Sequence, residues 1–185
     1  MKKIGIIVAA CVFLIFGYFF LNDKQTNQVF SSVQGTQEAL PKPGYLAPPM
    51  ELPALDEQNY AVGDRRDKLL LLNFWASWCG PCELEAPDLV ELSKKYETKM
   101  DVYGVNATSY DRERQARQFV EDFELNFPIL MDRDGVATKL YKVTTFPTTL
   151  LIDQNGVVQE RILGVIPREQ WEKRIDALLD KPDAR

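Results

Sequence analysis

Cys79 and Cys82 bracket a Gly80-Pro81 dipeptide in Trp78-Cys79-Gly80-Pro81-Cys82. At this C-x-x-C spacing two thiols can close into one disulfide and reopen, which is two-electron thiol–disulfide chemistry. The surroundings of the pair assign the roles. It follows a nearly continuous apolar run over 69–75, typical of a strand covered on both faces, and precedes a helical pattern over 82–99. A thiolate at a helix N-terminus faces unpaired N–H groups and the positive end of the helix dipole, so its ionised form is favoured. Cys79, just ahead of the helix, is therefore expected to be the exposed nucleophile. Cys82, about one turn in, is expected to be shielded and to resolve the mixed disulfide. Alone, the pair would also suit half a zinc site or two packed thiols. The sequence has no second cysteine pair and no histidine, and Gly80-Pro81 favours a solvent-facing turn over a packed core.

A carboxylate joins the pair. Cys82, Glu85, Leu89, Leu92 and Tyr96 recur at helical spacing, so they share one stripe, and the last three make it the core-facing one. Glu83, Asp88, Glu91 and Lys95 fall on other faces. Glu85 thus points inward, one turn from Cys82. Buried acids tend to have raised pKa values and to carry protons, so Glu85 is expected to accept and return the Cys82 proton. The plainer alternative is a first-turn acid that complements the helix dipole, as Glu83 does. Pro87, inside the same helix, should remove one hydrogen bond and kink it.

Composition narrows the field. With no histidine, Ser-His-Asp and Cys-His hydrolysis lose their usual base, and histidine-ligated metals lose their commonest ligand. No metal and no cofactor is expected. Three cysteines cannot build a disulfide framework. A net charge of −5 without a basic stripe argues against a nucleic-acid partner. The chain has 185 residues, 45% of them hydrophobic and 26% charged, as befits one folded domain plus an extension.

The elements that must hold the motif follow. Lys2 and Lys3 precede an uncharged apolar run over 4–21, long enough as a helix to cross a bilayer. Residues 1–21 are read as an uncleaved anchor whose lysines keep the N-terminus inside. This makes a single-pass protein of the cell membrane with its catalytic domain on the extracytoplasmic side. A cleaved signal peptide, or lipid attachment at Cys11 within Val8-Ala9-Ala10-Cys11, is the alternative. Residues 22–44 are polar and proline-ended, a tether, and residues 45–185 form the domain. Within it strands are expected over 69–75, 101–106, 127–131, 148–152 and 157–163. Asn155-Gly156 turns the last pair, and 59–62 offers an extra strand. Helices are expected to Phe123 with Asp111 as cap, over 136–141, and after Pro167 with Trp171, Ile175, Leu178 and Leu179 inward. The order implies an α/β fold with a central mixed sheet flanked by helices.

Trp75-Ala76-Ser77-Trp78-Cys79-Gly80-Pro81-Cys82, with Glu85 and Pro87 behind it, resembles the thioredoxin superfamily, and more narrowly its ResA/TlpA-type extracytoplasmic reductases. Thr145-Phe146-Pro147-Thr148-Thr149 resembles the family's cis-proline loop. The resemblance implies a thioredoxin-like fold, a cis bond before Pro147, and a substrate groove beside Trp78, Phe146 and Pro147. Cytoplasmic thioredoxins carry a buried aspartate where this sequence has Asn73, and the ResA-like branch pairs asparagine there with a glutamate at Glu85. The bulky Phe146 departs from the family pattern at the substrate groove. The expected activity is reduction of disulfides in extracytoplasmic partner proteins, such as apocytochrome c or envelope and sporulation proteins. The resemblance implies a CcdA-like membrane thiol carrier as electron donor. A binding or chaperone-like module presenting Trp78 and Phe146 is the rival from another class. A peroxiredoxin-type peroxidase would need a Pro-x-x-x-Thr/Ser context that the residues before Cys79 do not supply.

Overall fold

Strand β3 (Leu69–Trp75) is buried at all seven positions, and the rest of the fold is arranged around it. The computed structural model describes residues 38–180. Strand β3 is central in a five-stranded sheet that also contains β4 (Met100–Asn106), β5 (Ile129–Met131), β6 (Thr148–Ile152) and β7 (Val158–Leu163). The spatial order is β5-β4-β3-β6-β7. Strands β3, β4 and β5 run parallel, and β6 and β7 join antiparallel, so the sheet is mixed as expected.

The side-chain alternation of β3 sorts the two faces. Leu70, Leu72 and Phe74 pack with Ala137 of helix α3 (Val136–Leu140) and with Tyr141, its C-terminal capping residue. Leu69 and Leu71 pack on the opposite face against α1 (Gly80–Lys95) and α4 (Arg168–Leu179), through Leu89, Leu92, Trp171 and Ile175. Trp75 meets Ala116 and Phe119 of α2 (Glu113–Asp122). Leu178 and Leu179 are partly buried against the same core as Trp171, which is the apolar face expected of the last helix.

Several boundaries differ from the sequence reading. Helix α1 begins at Gly80 and ends at Lys95, because Cys79 takes the capping position and the chain turns back into β4 through 96–99. Asp111 does not cap α2. Arg112 occupies that position without a side-chain bond, and the Asp111 carboxylate is drawn elsewhere. Residues Asn59–Val62 (β2) do not extend the main sheet but pair with an unanticipated strand, β1 (Met50–Pro53), as a separate hairpin. The turn after β6 is a four-residue one ending at Gly156 (φ 81°), a conformation glycine adopts without strain.

The described end of the expected tether is not free. The compact unit begins at Glu38 rather than at Tyr45. Gly44 donates to the Val158 carbonyl at 2.8 Å and Val158 to that of Tyr45 at 2.9 Å. Arg161 Nη1 donates to the Pro41 carbonyl at 3.0 Å. This strap lies against β7, the outer strand of the sheet. Among the described residues no helix is long and apolar enough to cross a membrane, and the anchor expected over 1–21 lies outside them.

Candidate active site

The end of β3 delivers Trp75, Ala76 and Ser77 to the start of α1, and the cysteines sit at that junction. Cys79 is the N-cap residue, with extended backbone, and its Sγ accepts from the Cys82 amide at 3.2 Å. Pro81 in the first turn has no amide hydrogen to leave unpaired and a φ already suited to the helix. Cys79 and Cys82 are joined as a disulfide with their Cα atoms 5.2 Å apart. The sulfur at the cap is where the helix offers its free N–H groups and dipole, so a thiolate formed there is stabilised.

One expectation fails. Cys79 is not exposed while disulfide-bonded: it is 5% accessible, and Cys82 is 4%. Both sulfurs lie in a cluster with Trp75, Ala76 and Ala86, against which Phe146 is among the residues packed. The ring of Phe146 meets that of Trp78 edge to face, with centroids 5.8 Å apart. Trp78 is 60% accessible and is held by its indole N–H, which donates to the Tyr110 carbonyl at 2.9 Å. The Phe146–Pro147 peptide is cis. Trp78, Phe146 and Pro147, the three residues assigned to the groove, thus come from the two loops flanking the disulfide.

Glu85 is where the stripe placed it, 1% accessible beneath the first turn of α1. Asn73 Nδ2 donates to Glu85 Oε2 at 2.9 Å and to Thr149 Oγ1 at 2.9 Å. Asn73 and Thr149 are directly paired across β3 and β6, so their side chains share the face toward α1. Loss of solvent pushes the Glu85 carboxyl up to about 7, the Asn73 hydrogen bond opposes the rise, and the Asp88 charge adds to it. A carboxyl that changes charge near neutrality can take a thiol proton and give it back. A small cavity of about 10 Å³ lies beside Cys82, lined by Asn73, Trp75, Ala86 and Leu89 among others.

The sequence reading passed over the residues that hold the loop. Asp111 accepts from the Ser77 amide (2.7 Å), the Ser77 hydroxyl (2.6 Å) and Asn106 Nδ2 (2.8 Å). Its carboxylate thereby fixes the segment entering Cys79 to the end of β4. Asn73 was already paired with Glu85 by the resemblance, and Thr149 could have been found as a polar residue on the inward face of its strand. Asp111 had no such signal, since its place before a helix suggested a cap, a role it does not take.

Comparison with known proteins agrees with this geometry. Residues 43–161 match the AhpC/TSA family. The chain is 38% identical to the thioredoxin-like protein YneN of Bacillus subtilis (strain 168), over 72% of this chain and 78% of that one. It is 35% identical to the thiol-disulfide oxidoreductase ResA of Geobacillus kaustophilus (strain HTA426), over 73% and 77%. A crystal structure from Chlorobium tepidum, assigned as the thiol:disulfide interchange protein DsbE, superposes with a TM-score of 0.69. It is 32% identical and covers 76% of this chain and 99% of its own. The fold is therefore thioredoxin-like, and the chain belongs to the AhpC/TSA family, beside its ResA-type thioredoxin-like members.

Proposed function

We propose that this protein is a thiol–disulfide oxidoreductase that reduces disulfides of partner proteins outside the cytoplasm. The observation that carries the reading is the Cys79–Cys82 disulfide at the cap of α1 with a buried, near-neutral carboxyl one turn below it. In the reduced form the Cys79 thiolate attacks one sulfur of a partner disulfide. A Cys79–partner bond forms, the partner's S–S bond breaks, and its other sulfur leaves as a thiolate. Glu85 takes the Cys82 proton, and the Cys82 thiolate attacks Cys79 Sγ. The Cys79–Cys82 bond closes, the second partner sulfur is released, and the proton held by Glu85 passes to a departing thiolate. The partner gains two electrons, one proton by way of Glu85 and one from solvent, and this protein loses two electrons and the Cys82 proton.

The oxidised pair must then be re-reduced. A CcdA-like thiol carrier in the membrane, with residues 1–21 as the anchor, is the source consistent with the ResA resemblance. Apocytochrome c or envelope and sporulation proteins are the substrates proposed on the same ground. The Gly80-Pro81 dipeptide and the absence of histidine between the cysteines support the reducing direction.

Insulin reduction by the parent and by Cys79→Ser tests the chemistry. Loss of turnover in the variant is expected, and equal turnover would leave only the binding module. Cys82→Ser should accumulate a mixed disulfide on Cys79 in cells. Partners recovered solely from the cytoplasm would overturn the proposed location.

A further inference from the structure

Three buried polar atoms beside the site have no hydrogen-bond partner, Trp75 Nε1, Glu85 Oε1 and Trp171 Nε1. The last two belong together. The Trp171 indole, wholly buried on α4, acts on the Glu85 carboxyl as a donor that favours its charged form, although no hydrogen bond has closed between them. Trp171 packs with Leu89 and Leu92, the residues that continue the Glu85 stripe down α1. The carboxyl is thus gripped unequally: Oε2 is held by Asn73, and Oε1 has a donor in reserve.

The asymmetry suits a group that changes charge. A neutral carboxylic acid carries its proton on one oxygen and accepts well only at the other, so one donor satisfies it. A carboxylate accepts at both oxygens and calls for a second. Burial alone drives the carboxyl upward, and an acid pushed far above neutrality would already hold a proton and could not take one from Cys82. Donors on both oxygens counter that drift.

We propose that Trp171 is a positioning residue for thiol exchange, its indole N–H engaging Glu85 Oε1 when Glu85 loses its proton. The proposal rests on the reading of Glu85 as the proton partner of Cys82. The groups facing the carboxyl are few. Asp88 on α1 is the charge that acts on it, while β3, β6 and α4 bring Asn73, Thr149 and Trp171, none of which titrates in this range.

The test begins with the oxidised parent protein, followed by the indole ¹H–¹⁵N resonance of Trp171 against pH. The resonance should move through one transition near neutrality in the parent and stay flat in Glu85→Gln. Trp171→Phe should raise the Glu85 titration, read by carboxyl ¹³C shifts, by about half a unit or more. The pH profile of mixed-disulfide resolution should move with it. In a Glu85→Gln background the same tryptophan change should leave the profile in place. A pH-independent parent resonance, or equal shifts in both backgrounds, would overturn the role of Trp171. The resonance measurement stands even if Trp171→Phe fails to fold. It also reads independently of turnover, so an inactive parent with a titrating indole would indict the reductase reading instead.

Discussion

Asn73 Nδ2 lies 2.9 Å from Glu85 Oε2, and its other hydrogen reaches Thr149 Oγ1 at the same distance, so one amide ties α1 to two neighbouring strands. The position is both a structural joint and a control on the proton.

Asn73→Ala should raise the Glu85 titration, since it removes the hydrogen bond that opposes desolvation. It should also cost about 1–3 kcal/mol by leaving buried acceptors unpaired. Asn73→Asp should raise it further at neutral pH by placing a like charge against Glu85. Carboxyl ¹³C titration checks both, and a downward shift in either variant would refute the assignment.

Glu85→Gln should change how stability depends on pH. The native carboxyl holds its proton up to about pH 7, whereas an unfolded glutamate releases it near 4.5. Its contribution to stability is fully present below 4.5, is lost as pH rises to about 7, and is level beyond. The Gln variant has no such loss, so it should gain on the parent by about 3 kcal/mol between pH 4 and pH 8. Denaturant midpoints at the two ends measure this, and a constant difference would mean that Glu85 titrates as an ordinary surface acid.

Asp111→Ala should loosen the entrance to Cys79. It removes the acceptor of the Ser77 amide, the Ser77 hydroxyl and Asn106 Nδ2, at a cost of about 2–3 kcal/mol. Because Trp78 is fastened to the neighbouring Tyr110 carbonyl, its fluorescence should change as well. Unchanged emission with full exchange activity would show that the loop is held by other contacts.

Gly104→Ala should disturb the wall behind Cys82 without touching the motif. A methyl there would lie 3.0 Å from Ile129 Cδ1, 3.1 Å from Trp75 Nε1 and 3.2 Å from Phe127 Cε2, all tighter than ordinary contact. Overpacking of this kind costs about 1–3 kcal/mol. A thermal melt showing no loss would mean that Trp75 yields freely.

How far the site could be read from the chain depended on how local each signal was. The C-x-x-C at a strand–helix junction, the inward stripe carrying Glu85 and the apolar run of β3 are local patterns, and all three stand in the structure. The pairing of Asn73 with Thr149 depends on strand register, which neither segment specifies alone. Asp111 had two uses of similar quality, and tertiary contact chose the distant one. Cys79 is buried in a cluster completed by residues far along the chain, among them Phe119, Met131 and Phe146, and no pattern around the cysteines announces it. Strand β1 is four residues ending in proline, too short to show a period.

The strap ahead of β1 bears on colloidal behaviour as well as on architecture. Gly156 in the turn and Val158 at the start of β7 would otherwise present unpaired backbone groups to any extended chain nearby, and such an edge templates aggregation. By filling those positions with Tyr45, Ala47 and Gly44, the protein covers the start of that edge. A chain shortened to begin at Pro48 should keep the disulfide and its carboxyl yet lose solubility.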